Sequence, residues 1–260
     1  MLLNYHGREF IDHPELSTAE KAYVWLFGVP VSGMRIRLRR ILPAIQGDFK
    51  SIIDLGCGKG VFTFELARRY PNASVVGIDL DEAQIEINNK IARKQGIKNL
   101  RFEVRDILNH GYEQCFDLAV SVDNLEHIEN DVEAIKKIRS ALRPGGTFVC
   151  HVPALKRIWL FRKIGMNFDV PGHVRPGYEQ GEISKKLETA GFQLDRVSQT
   201  YGYLETISTT VSYLITGAAQ RNKVLYALAF PLLNFVAWLG RKQDPSGKGA
   251  GVLSLCTNPS

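Results

Sequence analysis

The sequence predicts an α/β fold built on a parallel sheet with helices on both faces. Three observations carry this expectation. Between residues 51 and 152, short apolar runs alternate with segments of helical periodicity. The first apolar run opens directly into a glycine-rich turn, Gly56-Cys57-Gly58-Lys59-Gly60. The next run ends on an acid, Asp79, which lies 23 residues beyond Gly56.

Each element follows from local chemistry. Ser17-Thr18-Ala19-Glu20 is a capping box that opens an aromatic helix carrying Tyr23, Trp25 and Phe27. Arg35-Ile36-Arg37-Leu38-Arg39-Arg40 opens a second, basic helix, so residues 1–49 form a helical N-terminal cap. Residues 51–55 read as a buried strand, and 61–70 as a helix stopped by Pro71. Residues 74–78 form the second strand. Ile87 and Ile91 lie one turn apart in a helix that ends near Gly96. Residues 100–104 and 116–122 are strands. Val132, Ile135, Ile138 and Leu142 repeat at helical spacing, and Pro144-Gly145-Gly146 closes that helix before a strand over 147–152. Ile183, Leu187 and Ala190 share one helix face, Gly191 caps it, and 192–197 is a strand. Residues 203–250 are an apolar helical insertion, and 251–256 is a short final strand. The core therefore spans 50–202 and is completed by 251–260.

A chain of 260 residues fits one α/β domain. Hydrophobic residues at 45% and charged residues at 23% exclude a disordered or collagenous chain. Cys57, Cys115, Cys150 and Cys256 are scattered, with no CxxC pair and no zinc spacing. They read as free thiols of a reducing cytoplasm, and no metal site is expected. The N-terminus shows no signal-peptide pattern. A net charge of +6 suits nucleic acid, a membrane surface or an acidic substrate alike.

The glycine turn lets backbone N–H groups approach a ligand closely. Asp79 sits where an acid accepts hydrogen bonds from ribose hydroxyls, and Asp106 ends the third strand on the same carboxyl edge. A dinucleotide fingerprint needs G-x-G-x-x-G, but here Gly60 comes one residue early and Val61 takes the expected place. Asp54 would repel a pyrophosphate. It suits a ligand with positive charge, such as a sulfonium or an ammonium group. Gly60 serves close packing, and Cys57 contributes backbone rather than a nucleophile.

At this point the sequence resembles the class I S-adenosylmethionine-dependent methyltransferases. The motifs are Asp54-Leu55-Gly56-Cys57-Gly58-Lys59-Gly60, Gly77-Ile78-Asp79, Asp106, Phe116-Asp117-Leu118-Ala119-Val120-Ser121 and Leu142-Arg143-Pro144-Gly145-Gly146-Thr147. The resemblance implies a Rossmann-like seven-stranded sheet whose last strand is antiparallel. It implies S-adenosylmethionine as cofactor, held by Asp54, Gly56, Gly58, Asp79, Leu80, Asp106, Ile107 and Ser121. The subfamily looks like the small-molecule, quinone-type enzymes. Asp123-Asn124-Leu125-Glu126 is not the motif of the amino-methylating DNA enzymes.

His127, after the fourth strand, is the candidate base that takes the acceptor's proton, or else a loop histidine without a catalytic part. His151 ends the fifth strand as a pocket candidate. His173, Arg175 and Tyr178 are further pocket candidates, or loop packing. His110 reads as a surface loop residue. Residues 156–163 mix four cations with three large apolar groups, as a solvated helix face or a headgroup surface does.

Residues 224–239 form a 16-residue uncharged run flanked by Arg221, Lys223, Arg241 and Lys242. Pro231 should kink or break a helix there, giving two short segments. Tyr226 and Trp238 near its ends, with snorkelling cations, suit a membrane interface, and a cap or homodimer contact is the alternative. The expected function is methyl transfer to a hydrophobic or lipid-like small molecule, onto oxygen, carbon or nitrogen. The expected place is the cytoplasm, peripherally on the inner face of the membrane. An RNA methyltransferase, for which no RNA-binding module is visible, and a non-catalytic membrane scaffold are the alternatives.

Overall fold

Strand β1 (Ser51–Leu55) is buried from Ile52 onward, as the middle of a parallel sheet with both faces covered requires. In the computed structural model, which describes residues 7–159, 163–168, 170, 172–217, 222–245 and 249–259, it is an interior strand of a seven-stranded sheet. The other strands are β2 (Ser74–Asp79), β3 (Leu100–Val104), β4 (Phe116–Val122) and β5 (Leu142–Pro153), then a small antiparallel ribbon, β6 (Lys156–Ile158) and β7 (Ile164–Met166), and finally β8 (Gln193–Thr200) and β9 (Gly251–Thr257). The sheet order is β3-β2-β1-β4-β5-β9-β8. The first five strands are parallel, and β9 runs antiparallel between β5 and β8, as expected.

Alternation along the strands divides the core in two. Ile52, Val75, Leu118 and Val149 face a layer made by α1 (Thr18–Phe27), α2 (Ser32–Ile41), α3 (Val61–Arg69) and α4 (Glu82–Lys94). Ile53, Val76, Ala119 and Phe148 face α5 (Asp131–Ala141) and α6 (Gln180–Thr189). The capping box forms: the Ser17 N–H donates to Glu20 Oε2 at 2.9 Å, and the Glu20 N–H to Ser17 Oγ at 3.3 Å. Cys150 and Cys256 are buried on neighbouring strands.

The insertion folds as a helical hairpin, α7 (Tyr203–Thr216) and α8 (Lys223–Leu239), that packs on the N-terminal cap. Arg40 donates twice to the buried Glu205 carboxylate, at 2.9 and 2.6 Å. Arg39 reaches Asn234, and Ser212 reaches Ser32. Segments that read as two separate additions are thus one layer.

Five local expectations are corrected. Helix α8 runs unbroken through Pro231. Proline deprives the carbonyl four residues back, that of Ala227, of its helical donor. The Tyr23 hydroxyl of α1 supplies the missing bond at 2.6 Å, so the helix continues. The Tyr226 hydroxyl lies against Ser32 at 3.1 Å and faces inward, away from any headgroup boundary. Strand β5 begins at Leu142, directly after α5, and Pro144-Gly145-Gly146 is a bulge inside it, pinned by Asn258. His110 is buried: its Nε2 lies 2.9 Å from the Lys137 carbonyl oxygen, and its Nδ1 accepts from the Tyr112 N–H.

The described part of 156–163 is not a helix, and residues 160–162 lie outside the described residues. Lys156–Ile158 is a strand, and Arg157 is buried, donating to the Thr206 carbonyl and the hydroxyls of Thr209 and Thr210. Phe161 and Arg221 lie outside the described residues.

Candidate functional site

The strand order reverses between β1 and β4, and ligands of open α/β sheets bind at the carboxyl edge of such a switch point. The glycine turn leaves β1 there. The N–H groups of Gly56 and Cys57 both donate to the Ile78 carbonyl at 2.9 Å, which fastens the turn to β2. Gly58 has φ +48°, and a Cβ built on it meets nothing within 4 Å, so its backbone faces open space. Gly56 has φ +75°, and a Cβ there would collide with the Asn124 carboxamide. At Gly60 a Cβ would lie 2.9 Å from the Phe102 ring, so this glycine serves packing.

Asp79 ends β2 half-buried. Its Oδ2 accepts the Gly58 N–H at 2.7 Å and its Oδ1 the Asp81 N–H at 3.1 Å. Each oxygen keeps a lone pair for a further donor. Leu80 beside it is 68% exposed, an apolar side chain open to a flat ligand surface. Asp106 is exposed and caps the short turn that buries Ile107, accepting the Leu108 N–H at 2.9 Å. Ser121 is buried, and its hydroxyl donates to the Leu55 carbonyl at 3.1 Å. It braces β4 against β1 beneath the turn.

Asp54 lies behind the turn and accepts the Thr63 hydroxyl at 2.7 Å. Burial pushes its carboxyl up to about 7, against the pull of Thr63, with the Asp79 charge adding a further push. A cation beside the turn would reverse that push, so the site fits a ligand carrying positive charge. Burial, with the charges of Asp54 and Asp79, holds the Cys57 thiol well above its usual range, so it is no thiolate nucleophile.

On the other side of the switch point, Asp123 and Asn124 follow β4. Asp123 has φ +50°, a left-handed conformation that its neighbours must hold. Arg37 binds its Oδ2 at 2.7 Å and His151 Nδ1 lies 2.6 Å from its Oδ1. Despite burial, Arg37 and His151 hold the Asp123 carboxyl well below the usual range. His151 Nε2 meets Thr200 Oγ1 at 2.9 Å, and Arg37 also donates to the Tyr201 hydroxyl at 3.2 Å. His151 is therefore part of an ionic brace that joins β4, β5, β8 and α2.

His127 is exposed in a short helical turn after Asn124, with Nδ1 2.9 Å from the Gly172 carbonyl oxygen. The His173 ring packs edge-on against it, centroids 4.6 Å apart. Arg175 and Tyr178 take the packing alternative. Tyr178 is wholly buried, and its hydroxyl lies within donating distance of the Leu125 carbonyl oxygen, at 3.0 Å, and of Asp131 Oδ2, at 2.9 Å. Arg175 pairs with the same Asp131, as does Lys186. They lock the 172–178 segment onto α5 and do not line open space.

Sequence reasoning missed Arg37, Asn124, Glu126 and the convergence of Glu126, His127 and His173. Glu126 is 0% exposed, and neither carboxylate oxygen has a hydrogen-bond partner among the described residues. Burial, and then the Asp123 charge, push its carboxyl up to about 9. The only hint in the sequence is position: the residues after the switch-point strand border the site.

Residues 47–191 match the family model described as "Methyltransferase domain". The chain is 28% identical over 160 residues to EEF1A lysine methyltransferase 2 of Danio rerio, covering 57% of this chain and 61% of that protein. It is 27% identical over 162 residues to ubiquinone biosynthesis O-methyltransferase of Acinetobacter baumannii, covering 57% and 66%. It thus spans just under two thirds of these relatives' length. Phosphoethanolamine N-methyltransferase 2 of Haemonchus contortus, solved with S-adenosyl-L-methionine, superposes with a TM-score of 0.59 at 17% identity, over 97% of this chain and 60% of that one. With the matched model covering more than half of the 260 residues, and with the glycine turn, Asp54 and Asp79 placed as described, the chain belongs to the class I S-adenosylmethionine-dependent methyltransferases.

Proposed function

We propose that this protein transfers a methyl group from S-adenosylmethionine to an oxygen of a hydrophobic, lipid-like small molecule at the cytoplasmic face of a membrane. The cofactor supplies an electrophilic methyl carbon on a sulfonium. The chain's part is to bind and orient. Gly56 and Gly58 offer close backbone, Asp79 accepts from hydroxyls, Leu80 offers an apolar surface, and Asp54 offers a carboxylate to positive charge. Asn124 lies against Gly56 between the two halves of the site. His127, exposed on the acceptor side, takes the proton of a hydroxyl acceptor through Nε2. A relative named for ubiquinone biosynthesis supports a small-molecule acceptor.

The observation that carries the lipid reading is an apolar stripe on α8. Val224, Leu228, Leu232, Phe235 and Leu239 recur every three to four residues and are 42–77% exposed. Leu214 of α7 and Trp25 and Leu26 of α1 are exposed as well. Beyond the end of α8, a cleft of about 1000 Å³ is lined by Arg35, Arg39, Arg40, Arg69, Arg196 and Arg241 among others. Arg39 Nε and one of its terminal nitrogens have no hydrogen-bond partner among the described residues. An apolar stripe beside concentrated positive charge matches acyl chains beside anionic headgroups.

Wild-type protein is expected to sediment with phosphatidylglycerol vesicles, less so as salt rises. Val224, Leu228 and Leu232 are the most exposed, so their joint replacement by serine should leave folding intact and abolish sedimentation. Methylation of a soluble acceptor should continue. A wild type that ignores vesicles and sediments as a dimer would make the stripe a subunit interface and end the membrane reading.

A second expectation concerns pH. The folded Asp54 carboxyl titrates near 7, against 3.8 for the ordinary group. Its folded pKa is raised, so its contribution to stability is present below the ordinary value and declines as pH rises toward 7. A cationic ligand favours the ionised form. Affinity for S-adenosylmethionine should therefore climb by up to about tenfold per pH unit below 7 and level off above it. Calorimetry from pH 5.5 to 8.5 reads this, and Asp54→Asn should flatten the curve. A flat wild-type curve would separate Asp54 from the ligand.

A further inference from the structure

Glu126, His127 and His173 bring one carboxylate oxygen and two imidazole nitrogens within 4.8 Å of one another. Three features set this group apart from ordinary packing. The first is the state of Glu126, wholly buried with both oxygens unpartnered among the described residues. Burial has removed the water from this carboxyl group and no donor has replaced it, so a bound cation would supply the missing partner.

The second is the orientation of His127. Its Nδ1 lies 2.9 Å from the Gly172 carbonyl oxygen. A carbonyl can only accept, so Nδ1 carries the proton and Nε2 keeps its lone pair. Metal-binding imidazoles are oriented by such a bond on the opposite nitrogen. The third is that the arrangement is prebuilt. Gly172 and His173 come from a separate segment, which Arg175 and Tyr178 tie to Asp131. The same Asp131 begins α5, just after the turn that carries Glu126 and His127.

We propose that Glu126, His127 and His173 bind a first-row divalent cation, with Zn²⁺ as the probe of choice for two imidazoles and one carboxylate. Three protein ligands leave coordination positions for an outside oxygen. His127 is exposed, so the group is open on that side. The role of the ion, though not its binding, rests on the methyl-transfer reading. With the ion bound, His127 Nε2 is a ligand and no longer the base: the acceptor's hydroxyl oxygen binds the ion, which lowers its pKa, and the proton leaves to solvent. A lone pair of that oxygen forms the new O–C bond to the methyl carbon. The S–C bond breaks with its electron pair going to sulfur, and a neutral thioether departs.

The test uses the full chain stripped with EDTA and dialysed against Zn²⁺, or Co²⁺ as a spectroscopic probe. About one ion per chain is expected by elemental analysis, with visible Co²⁺ bands shaped by imidazole ligands. Glu126→Gln and His173→Ala should each weaken binding by at least roughly 100-fold. Both should bind S-adenosylmethionine within about twofold of wild type, since neither residue touches the glycine turn. Wild type that holds no more ion than a His127→Ala/His173→Ala double variant overturns the site. Full turnover in the stripped protein overturns the catalytic role of the ion and leaves methyl transfer standing. Failure to bind S-adenosylmethionine at any metal level sinks methyl transfer itself.

Discussion

Turnover of a His127→Ala variant is expected to fall roughly 10²–10⁴-fold, with S-adenosylmethionine affinity close to wild type. The reason is placement. His127 is exposed on the acceptor side, three residues beyond Asn124, and its Nδ1 is fixed on Gly172. The remaining nitrogen, Nε2, either takes the acceptor's proton or ligates the ion that makes the proton leave. Both parts vanish with the ring, while the glycine turn and Asp79 stay as they are. Initial rates at saturating cofactor, with calorimetry alongside, measure the split. An unchanged rate from pH 6 to 9 would remove His127 from the chemistry and point to an acceptor that is already ionised. Sensitivity of the wild-type rate to EDTA separates the two parts.

Cofactor binding should be lost in Gly58→Val and weakened roughly 10–150-fold in Asp79→Ala, the equivalent of about 1.5–3 kcal/mol. A Cβ at position 58 meets no protein atom within 4 Å, so a side chain there starts out in open space and the chain can fold around it. The left-handed backbone there, φ +48°, adds about 1–2 kcal/mol of strain to the folded state. What valine fills is the open space beside the turn. Asp79→Ala acts twice: it removes the acceptor for hydroxyl donors and unlatches the Gly58 N–H now held at 2.7 Å. Isothermal titration reports both effects. Wild-type affinity in the two variants, with melting temperatures near wild type, would remove the turn from cofactor binding.

The central sheet was legible because parallel strands buried on both faces leave an uninterrupted apolar signal, and glycine turns punctuate it. Val75 to Ile78 and Leu118 to Val120 are of this kind, and Ile52 to Leu55 is broken only by the site residue Asp54. The cofactor half of the site was legible for the same reason, since Gly56, Gly58 and Asp79 sit at strand ends that periodicity locates. The acceptor half was not. Arg37, Asp123, His151 and Thr200 come from four distant stretches, and only the closed sheet brings them into one brace. The pairing of Glu126 and His127 with His173 depends on a loop fold that no local pattern announces. Pro231 misled for a related reason. A helix breaker is judged by the bond it removes, and the replacement came from Tyr23, far away in sequence.

The partners that hold the N-terminal helices lie near the opposite end of the chain. Tyr23 and Ala227 are separated by 204 residues, Arg40 and Glu205 by 165. At roughly 5–20 residues per second, a ribosome needs about 10–40 s to cross the larger gap. Ile36 belongs to a small apolar cluster with Tyr201, Ala237 and Ala250, which cannot close before residue 250 has emerged. Birth order and closure order therefore run in opposite directions. The helices made first are among the last to be completed, and a nascent chain that stalls before residue 250 keeps that cluster open.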